Sequence, residues 1–273
     1  MNRYIAGNNI PKVIKASKKQ LSNNKLPIIN YIVEKTSRPQ DIFMEHTSLI
    51  DKLDYKYKIA IKLSAFHFNE NFLDCIIKKC IKKNIQIIID AEEDKLNSQY
   101  QSLCEKFMYQ YNQESPYIVK TYQMYRKDAL KTFENDLEYS EKNKIYLGLK
   151  LVRGAYHHKE KYHGHLFTNK KDTDNSYNNA LTTLAENHNN KYILLATHNN
   201  HSIHLGIIGN KKAKHNIFEF GHLMGMHEKK YQYLADKGSR VNTYIPYGPY
   251  NKMLPYLSRR MYENLDMIKY MVK

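Results

Sequence analysis

Residues 85–93 read Ile-Gln-Ile-Ile-Ile-Asp-Ala-Glu-Glu, and this stretch decides the fold. Four isoleucines in five positions leave no polar face. A strand that is apolar on both sides must be covered on both sides, as in a parallel sheet. Immediately before it, Phe72, Ile76, Ile77, Cys80 and Ile81 recur at helical spacing. Lys78, Lys79, Lys82 and Lys83 fall on the face left to water. A helix over Phe72–Lys83 followed by a buried strand over Ile85–Ala91 is one turn of an α/β repeat.

The same alternation extends in both directions. Strands are expected at Pro27–Val33, Lys58–Ser64, Tyr117–Tyr122, Ile145–Val152, Tyr192–Thr197, Asn216–Phe220 and Val241–Ile245, which makes eight with Ile85–Ala91. Further helices are expected at Pro11–Leu21, Asp174–Asn187 and Glu228–Lys237, with a closing helix over Leu254–Met271. Eight strands with intervening helices in 273 residues predict an α/β chain folded as a (β/α)8 TIM-type barrel. We find no repeat or linker, so residues 1–273 are expected to form a single domain. An open doubly wound sheet is the competing arrangement, but no Gly-x-Gly-x-x-Gly follows any strand.

Composition narrows the function classes. At 42% hydrophobic and 26% charged the chain reads as a folded enzyme and not as a disordered tail. No window approaches the roughly 18 apolar residues of a membrane span. The formal charge of +16 raises the question of a polyanion partner. The lysines are scattered in short runs such as Lys211–Lys212 with no long basic arm, so a solvated surface is expected and no nucleic acid. Cys75, Cys80 and Cys104 form neither a disulfide framework nor a CxxC pair. Cys75 and Cys80 are expected to be small core residues in a reducing compartment. The first 33 residues lack acidic side chains, as transit peptides do, yet Pro11–Leu21 already reads as a helix of the fold.

In a parallel barrel the site lies at the C-terminal ends of the strands, and polar residues gather there. Asp90 closes the isoleucine strand, Gln123 follows Val-Lys-Thr-Tyr, and Lys150 lies in Gly-Leu-Lys-Leu-Val-Arg-Gly-Ala-Tyr. Thr197, His198 and Asn199 end one strand and Tyr244 another. Any one of these could be a strand cap; five on one rim point to a site. No metal is expected at His198. His67, His157, His158, His163 and His165 stand in hydrophilic stretches and are expected at the surface. Arg259 and Arg260 lie in an otherwise apolar helical stretch, with Glu263 at i+4 and i+3. On a helix closing over the barrel they could aim at a carboxylate, which guanidinium captures bidentately.

These motifs resemble the proline dehydrogenase family. The resemblance rests on Asp-Ala-Glu at 90–92, Thr-Tyr-Gln at 121–123, Lys-Leu-Val-Arg-Gly-Ala-Tyr at 150–156 and Ala-Thr-His-Asn at 196–199. It continues in Leu-Met-Gly-Met at 223–226, Tyr-x-Pro-Tyr-Gly at 244–248 and Tyr-Leu-x-Arg-Arg-x-x-Glu-Asn at 256–264. It covers roughly residues 4–270.

The resemblance implies a distorted barrel holding FAD non-covalently, with the last helix over the mouth. It also implies oxidation of L-proline to Δ1-pyrroline-5-carboxylate, with hydride passing to the flavin and electrons then to a quinone. Lys62, Asp90, Tyr156, Leu223, Tyr244, Arg259 and Arg260 match the family's substrate positions. Gln123, Lys150, Val152, Gly154, Thr197, His198, Asn199 and Glu263 match its flavin positions, with Thr168 and Lys170 matching more loosely. Two departures stand out: Lys150 where some members carry Arg, and Asn169 where a basic residue is expected. In the mechanism this implies, Lys62 and Asp90 hold each other's charge while Tyr244 and Leu223 press the substrate ring onto the flavin. Another cyclic imino acid, such as hydroxyproline or pipecolate, is the alternative substrate, and a non-catalytic basic binding protein on the same barrel is the alternative class. Peripheral membrane contact, oligomeric state and compartment are left open.

Overall fold

The structure is a computed structural model describing residues 3–33 and 38–263; the side chains of His158 and of residues 259–263 lie outside that description. The strands are β1 (Lys25–Tyr31), β2 (Lys58–Ile61), β3 (Gln86–Ile89), β4 (Ile118–Gln123), β5 (Leu147–Val152), β6 (Lys191–Ala196), β7 (Phe218–Leu223) and β8 (Val241–Tyr247). All neighbours run parallel, and β8 closes onto β1 from Lys25↔Val241 to Tyr31↔Tyr247. The expected (β/α)8 barrel is therefore the observed one. Helices follow as α1 (Ile10–Ser22), α2 (Pro39–Asp51), α3 (Glu70–Ile81), α4 (Asn97–Tyr111), α5 (Ala129–Asn143), α6 (His157–Glu160), α7 (Lys170–Glu186), α8 (Asn200–Ala213), α9 (Glu228–Asp236) and α10 (Tyr250–Glu263).

Strand pleating sorts the isoleucines. Ile59, Ile61, Ile87 and Ile89 point outward into the main core under the helices, whereas Ile28, Ala60, Ile88, Val119 and Leu194 fill the barrel interior. Below that apolar layer the floor is polar. Lys58 Nζ lies 2.8 Å from Glu219 and 2.7 Å from Asn242 Oδ1, and the Tyr192 hydroxyl donates to Glu219 at 3.0 Å. Burial opposes the Glu219 charge, but Lys58 and Asn242 together hold its carboxyl below the usual range. The cavity opens at the opposite end.

The ends of the barrel depart from regularity for identifiable reasons. α1 lies along β1 and β8, where the Thr243 hydroxyl donates to Gln20 at 3.2 Å. That seam is thus covered from the N-terminal side. α10 is free to pack Met253 and Tyr256 on Ile5 and Ile32 at the C-terminal end of the strands instead. β2 and β3 stop short of the expected Ser64 and Ala91. Leu63–Phe66 winds into a 3₁₀ turn, pinned by Glu92, which accepts from Ser64 N at 2.9 Å and Ser64 Oγ at 3.0 Å. β7 starts later than expected because Asn210 takes the Phe218 backbone as a side-chain partner, and it runs on to Leu223, paired with Tyr244. β8 runs through Pro246, whose carbonyl accepts from Ala6 N at 2.9 Å. Cys75 is exposed, contrary to expectation, while Cys80 and Cys104 are buried. On α3, Cys75 flanks the stripe formed by Leu73, Ile76, Ile77 and Cys80 instead of joining it.

Candidate active site

A cavity of about 250 Å³ opens at the C-terminal ends of the strands. Of the residues singled out in the sequence, Lys62, Asp90, Gln123, Lys150, Val152, Gly154, Tyr156, Thr197, His198, Leu223 and Tyr244 line it. Nine of these eleven stand at, or within two residues of, the upper end of a strand; Tyr244 stands midway along β8, and Tyr156 is carried in by the segment after β5.

Asp90 is the hub. Lys150 Nζ donates to its Oδ1 at 2.7 Å, and the Tyr244 hydroxyl donates to its Oδ2. Asn30 Nδ2 in turn donates to the Tyr244 oxygen at 3.0 Å. Burial, then the Asp90 charge, pushes the Tyr244 phenol well up, so it remains protonated and remains the donor. The Lys150 ammonium also sits 4.8 Å from the centre of the Tyr244 ring. This corrects one expectation: Asp90 pairs with Lys150 and not with Lys62. Lys62 caps the 3₁₀ turn after β2 and reaches Tyr156 instead, its Nζ 2.6 Å from the phenol oxygen. That phenol donates to Ala91 O at 3.2 Å, which ties the β3 and β5 loops together across the cavity.

Gln123 makes a second tie, donating to Glu92 O at 3.1 Å and accepting from Ala155 N at 3.2 Å. Gly154 adopts φ +140°, and a Cβ there would stand 2.4 Å from the Tyr125 ring. Only glycine lets Tyr125 pack against this turn, which brings bare backbone of Gly154 and Ala155 to the cavity edge.

The other side of the cavity is rich in donors. Arg153, which the sequence reading did not select, donates to Asp174 at 2.6 Å, Thr197 Oγ1 at 2.5 Å and Ser202 Oγ at 3.0 Å, and lies over the Tyr177 ring. Its position between Val152 and Gly154 was the available signal. His198 is driven down to about 3 by burial, then by the neighbouring His227 and His222, so it is a neutral ring. Asn199 does not line the cavity: it caps α8, accepting from Ser202 N at 3.1 Å. Asn169 likewise caps α7, accepting from Asp172 N at 2.8 Å, which explains an amide in place of a cation. Lys170 pairs with Asp174 at 2.5 Å, and Thr168 is exposed, both away from the cavity lining. Arg259, Arg260 and Glu263 fall on α10, and their side chains lie outside the described ones.

A flavin dinucleotide needs hydrogen-bonding groups around a flat ring, and cations or helix N-termini for its pyrophosphate. The donor set of Gln123, Lys150, Arg153, Thr197 and His198 fits that need, with the N-terminus of α8 following Thr197 and His198 and a backbone-only edge at Gly154.

The barrel and its rim together define a (β/α)8 protein of the enzyme type, with a charged, hydrogen-bonded cavity at the C-terminal face. A family model described as proline dehydrogenase matches residues 11–272, and the chain belongs to that family. Among curated relatives, proline dehydrogenase 1, mitochondrial, of Dictyostelium discoideum is 29% identical over 94% of this chain and 48% of its own length. The protein of the same description from Homo sapiens is 31% identical over 72% of this chain and 35% of its own length. The chain thus spans about half, or less, of the curated relatives it matches. In fold it is similar to proline utilization A of Bdellovibrio bacteriovorus inactivated by N-propargylglycine, with TM-score 0.89 and 19% identity over 96% of this chain and 32% of that one. Among the described residues no helix is long and apolar enough to cross a membrane.

Proposed function

We propose that this chain oxidises L-proline to Δ1-pyrroline-5-carboxylate with non-covalently bound FAD, within a single barrel domain, and that a quinone takes the electrons onward. The observation that carries this reading is the Asp90–Lys150–Tyr244 cluster at the rim, in a chain of the proline dehydrogenase family. Bound flavin supplies the hydride acceptor; the rest of the work falls to the residues of the barrel.

Tyr244, held by Asp90 and Asn30, and Leu223, its register partner, form a rigid wall against which a five-membered ring can lie. Lys62 and Tyr156 form the facing wall. Arg259 and Arg260 hold the substrate carboxylate from α10, which leaves β8 at the cavity mouth. Gln123, Lys150, Val152, Gly154, Thr197 and His198 hold the flavin, and Asn199, Thr168, Lys170 and Glu263 are assigned to it by the match to the family's flavin positions alone. Fixing the ring at both ends orients the C–H bond beside the nitrogen, the kind of positioning that lowers a barrier by several kcal/mol.

The test is spectroscopic. Purified protein should show a flavin spectrum whose chromophore is released on denaturation, and proline should bleach it anaerobically. Protein that is colourless and does not take up added FAD would end this reading. Faster bleaching by pipecolate or hydroxyproline would reassign the substrate.

A further inference from the structure

The upper ends of β3 and β4 part company. Their ladder runs from Ile87↔Ile118 to Ile89↔Lys120. At the next step the Tyr100 hydroxyl from α4 enters the gap, accepting from Thr121 N at 2.8 Å. Its oxygen also stands 2.8 Å from Thr121 O and 3.3 Å from Ile89 O. One phenolic hydrogen can serve only one of those carbonyls at a time.

The wedge leaves a small cavity of about 10 Å³ in the seam, bordered by Tyr100, Gln101, Thr121, Gln123 and Arg126 and reaching the surface at Asp128. Thr121 and Gln123, with Ala91, also line the main cavity, so the two spaces share a wall. Thr121 is 4% exposed. Its Oγ1 and the Oε1 of Gln101 are buried without a hydrogen-bond partner among the described residues. Leaving a buried hydroxyl or amide oxygen unpaired is costly, and native structures rarely do so. The two residues that carry these atoms both border one space of the size that a single water molecule needs.

We propose that the β3–β4 seam is a water-binding subsite of the catalytic cavity. The water accepts a hydrogen bond from Thr121 Oγ1 and donates one to Gln101 Oε1. No larger ligand fits the volume, and neither protein atom carries a charge that would call for an ion. Through Thr121 and Gln123 the water joins the wall of the main cavity, giving it a hydrogen-bonded connection toward the surface that bypasses the mouth.

The proposal concerns the protein whatever its substrate, so the test uses purified protein without one. A crystal structure at a resolution that shows ordered water should place one within hydrogen-bond distance of both oxygens. Thr121→Val, a near-isostere without the hydroxyl, should lower Tm by about 2–4 °C, because the water loses a partner it needs. If the hydroxyl is merely unpaired, removing it raises Tm instead. Gln101→Met, on α4 outside the main cavity, should empty the water density from the other side. An ordered seam without water, or a Tm that holds or rises in Thr121→Val, overturns the proposal.

Discussion

Lys150 on β5 and Asp90 just past the end of β3 form a salt bridge of 2.7 Å at the barrel mouth, with both side chains largely buried. A charge left behind in such a site has little water to turn to, so breaking one half costs more than the pair contributes.

Asp90→Asn and Lys150→Met should therefore each destabilise by about 3–5 kcal/mol. The double variant should cost at least about 1 kcal/mol less than the sum of the two. Urea unfolding of all four proteins measures the coupling. Strict additivity would mean that the pair makes no net contact in solution.

Arg259→Met or Arg260→Met should leave the barrel and the flavin content intact while raising the proline KM. Losing one partner of a desolvated carboxylate costs about 2–5 kcal/mol, or roughly 30- to several-thousand-fold. Steady-state kinetics, with flavin content measured first, test this. Near-wild-type constants in both variants would show that α10 does not bring these residues to the substrate.

Gly154→Ala asks a β-carbon to sit inside the Tyr125 ring at a φ of +140°. The turn must move, and Ala155 and Tyr156 with it. We expect a loss of about 2 kcal/mol or more in stability and weaker flavin retention. Dialysis followed by absorbance is the readout. In a Tyr125→Ala background Gly154→Ala should cost less than it does alone, but not nothing, since the backbone strain remains.

Acid should weaken the fold through buried histidines. His46 is lowered to about 4 by burial, despite its bond to Ile42 O, and His222 is lowered to about 4, again chiefly by burial. Unfolded histidine takes a proton near pH 6.5, which the native ring refuses until about pH 4. Stability is thus fully present above about pH 6.5 and lost as pH falls toward 4, by about 1.4 kcal/mol per pH unit for each such group. Urea midpoints at pH 7 and pH 5 should show the drop, and His46→Gln should flatten it. A midpoint unchanged between those pH values would contradict the burial of both rings.

The barrel and most of its rim could be read from the chain's own pattern of residues. Several near-continuous apolar runs such as Gln86–Ile89 can be satisfied only between two apolar layers, and polar residues such as Lys62, Asp90, Gln123 and Lys150 mark the upper parts of their strands. Helices with a clear apolar stripe, such as α3, were equally legible. The stripes of α2, α4, α5 and α8 were not, because polar and aromatic residues interrupt them and burial is supplied by the strands they happen to face. Partners were beyond the sequence altogether. Lys62 and Lys150 are both lysines at strand tops, and nothing in their neighbours says which one meets Asp90. Only the closed barrel decides that, by setting β5 one strand beyond β4 from β3 and by curling the end of β2 into a turn that aims Lys62 at Tyr156. Periodicity along a chain fixes which face a residue occupies; which residue it meets there depends on strands brought together from 60 and 94 positions away, for Asp90–Lys150 and Lys62–Tyr156 respectively.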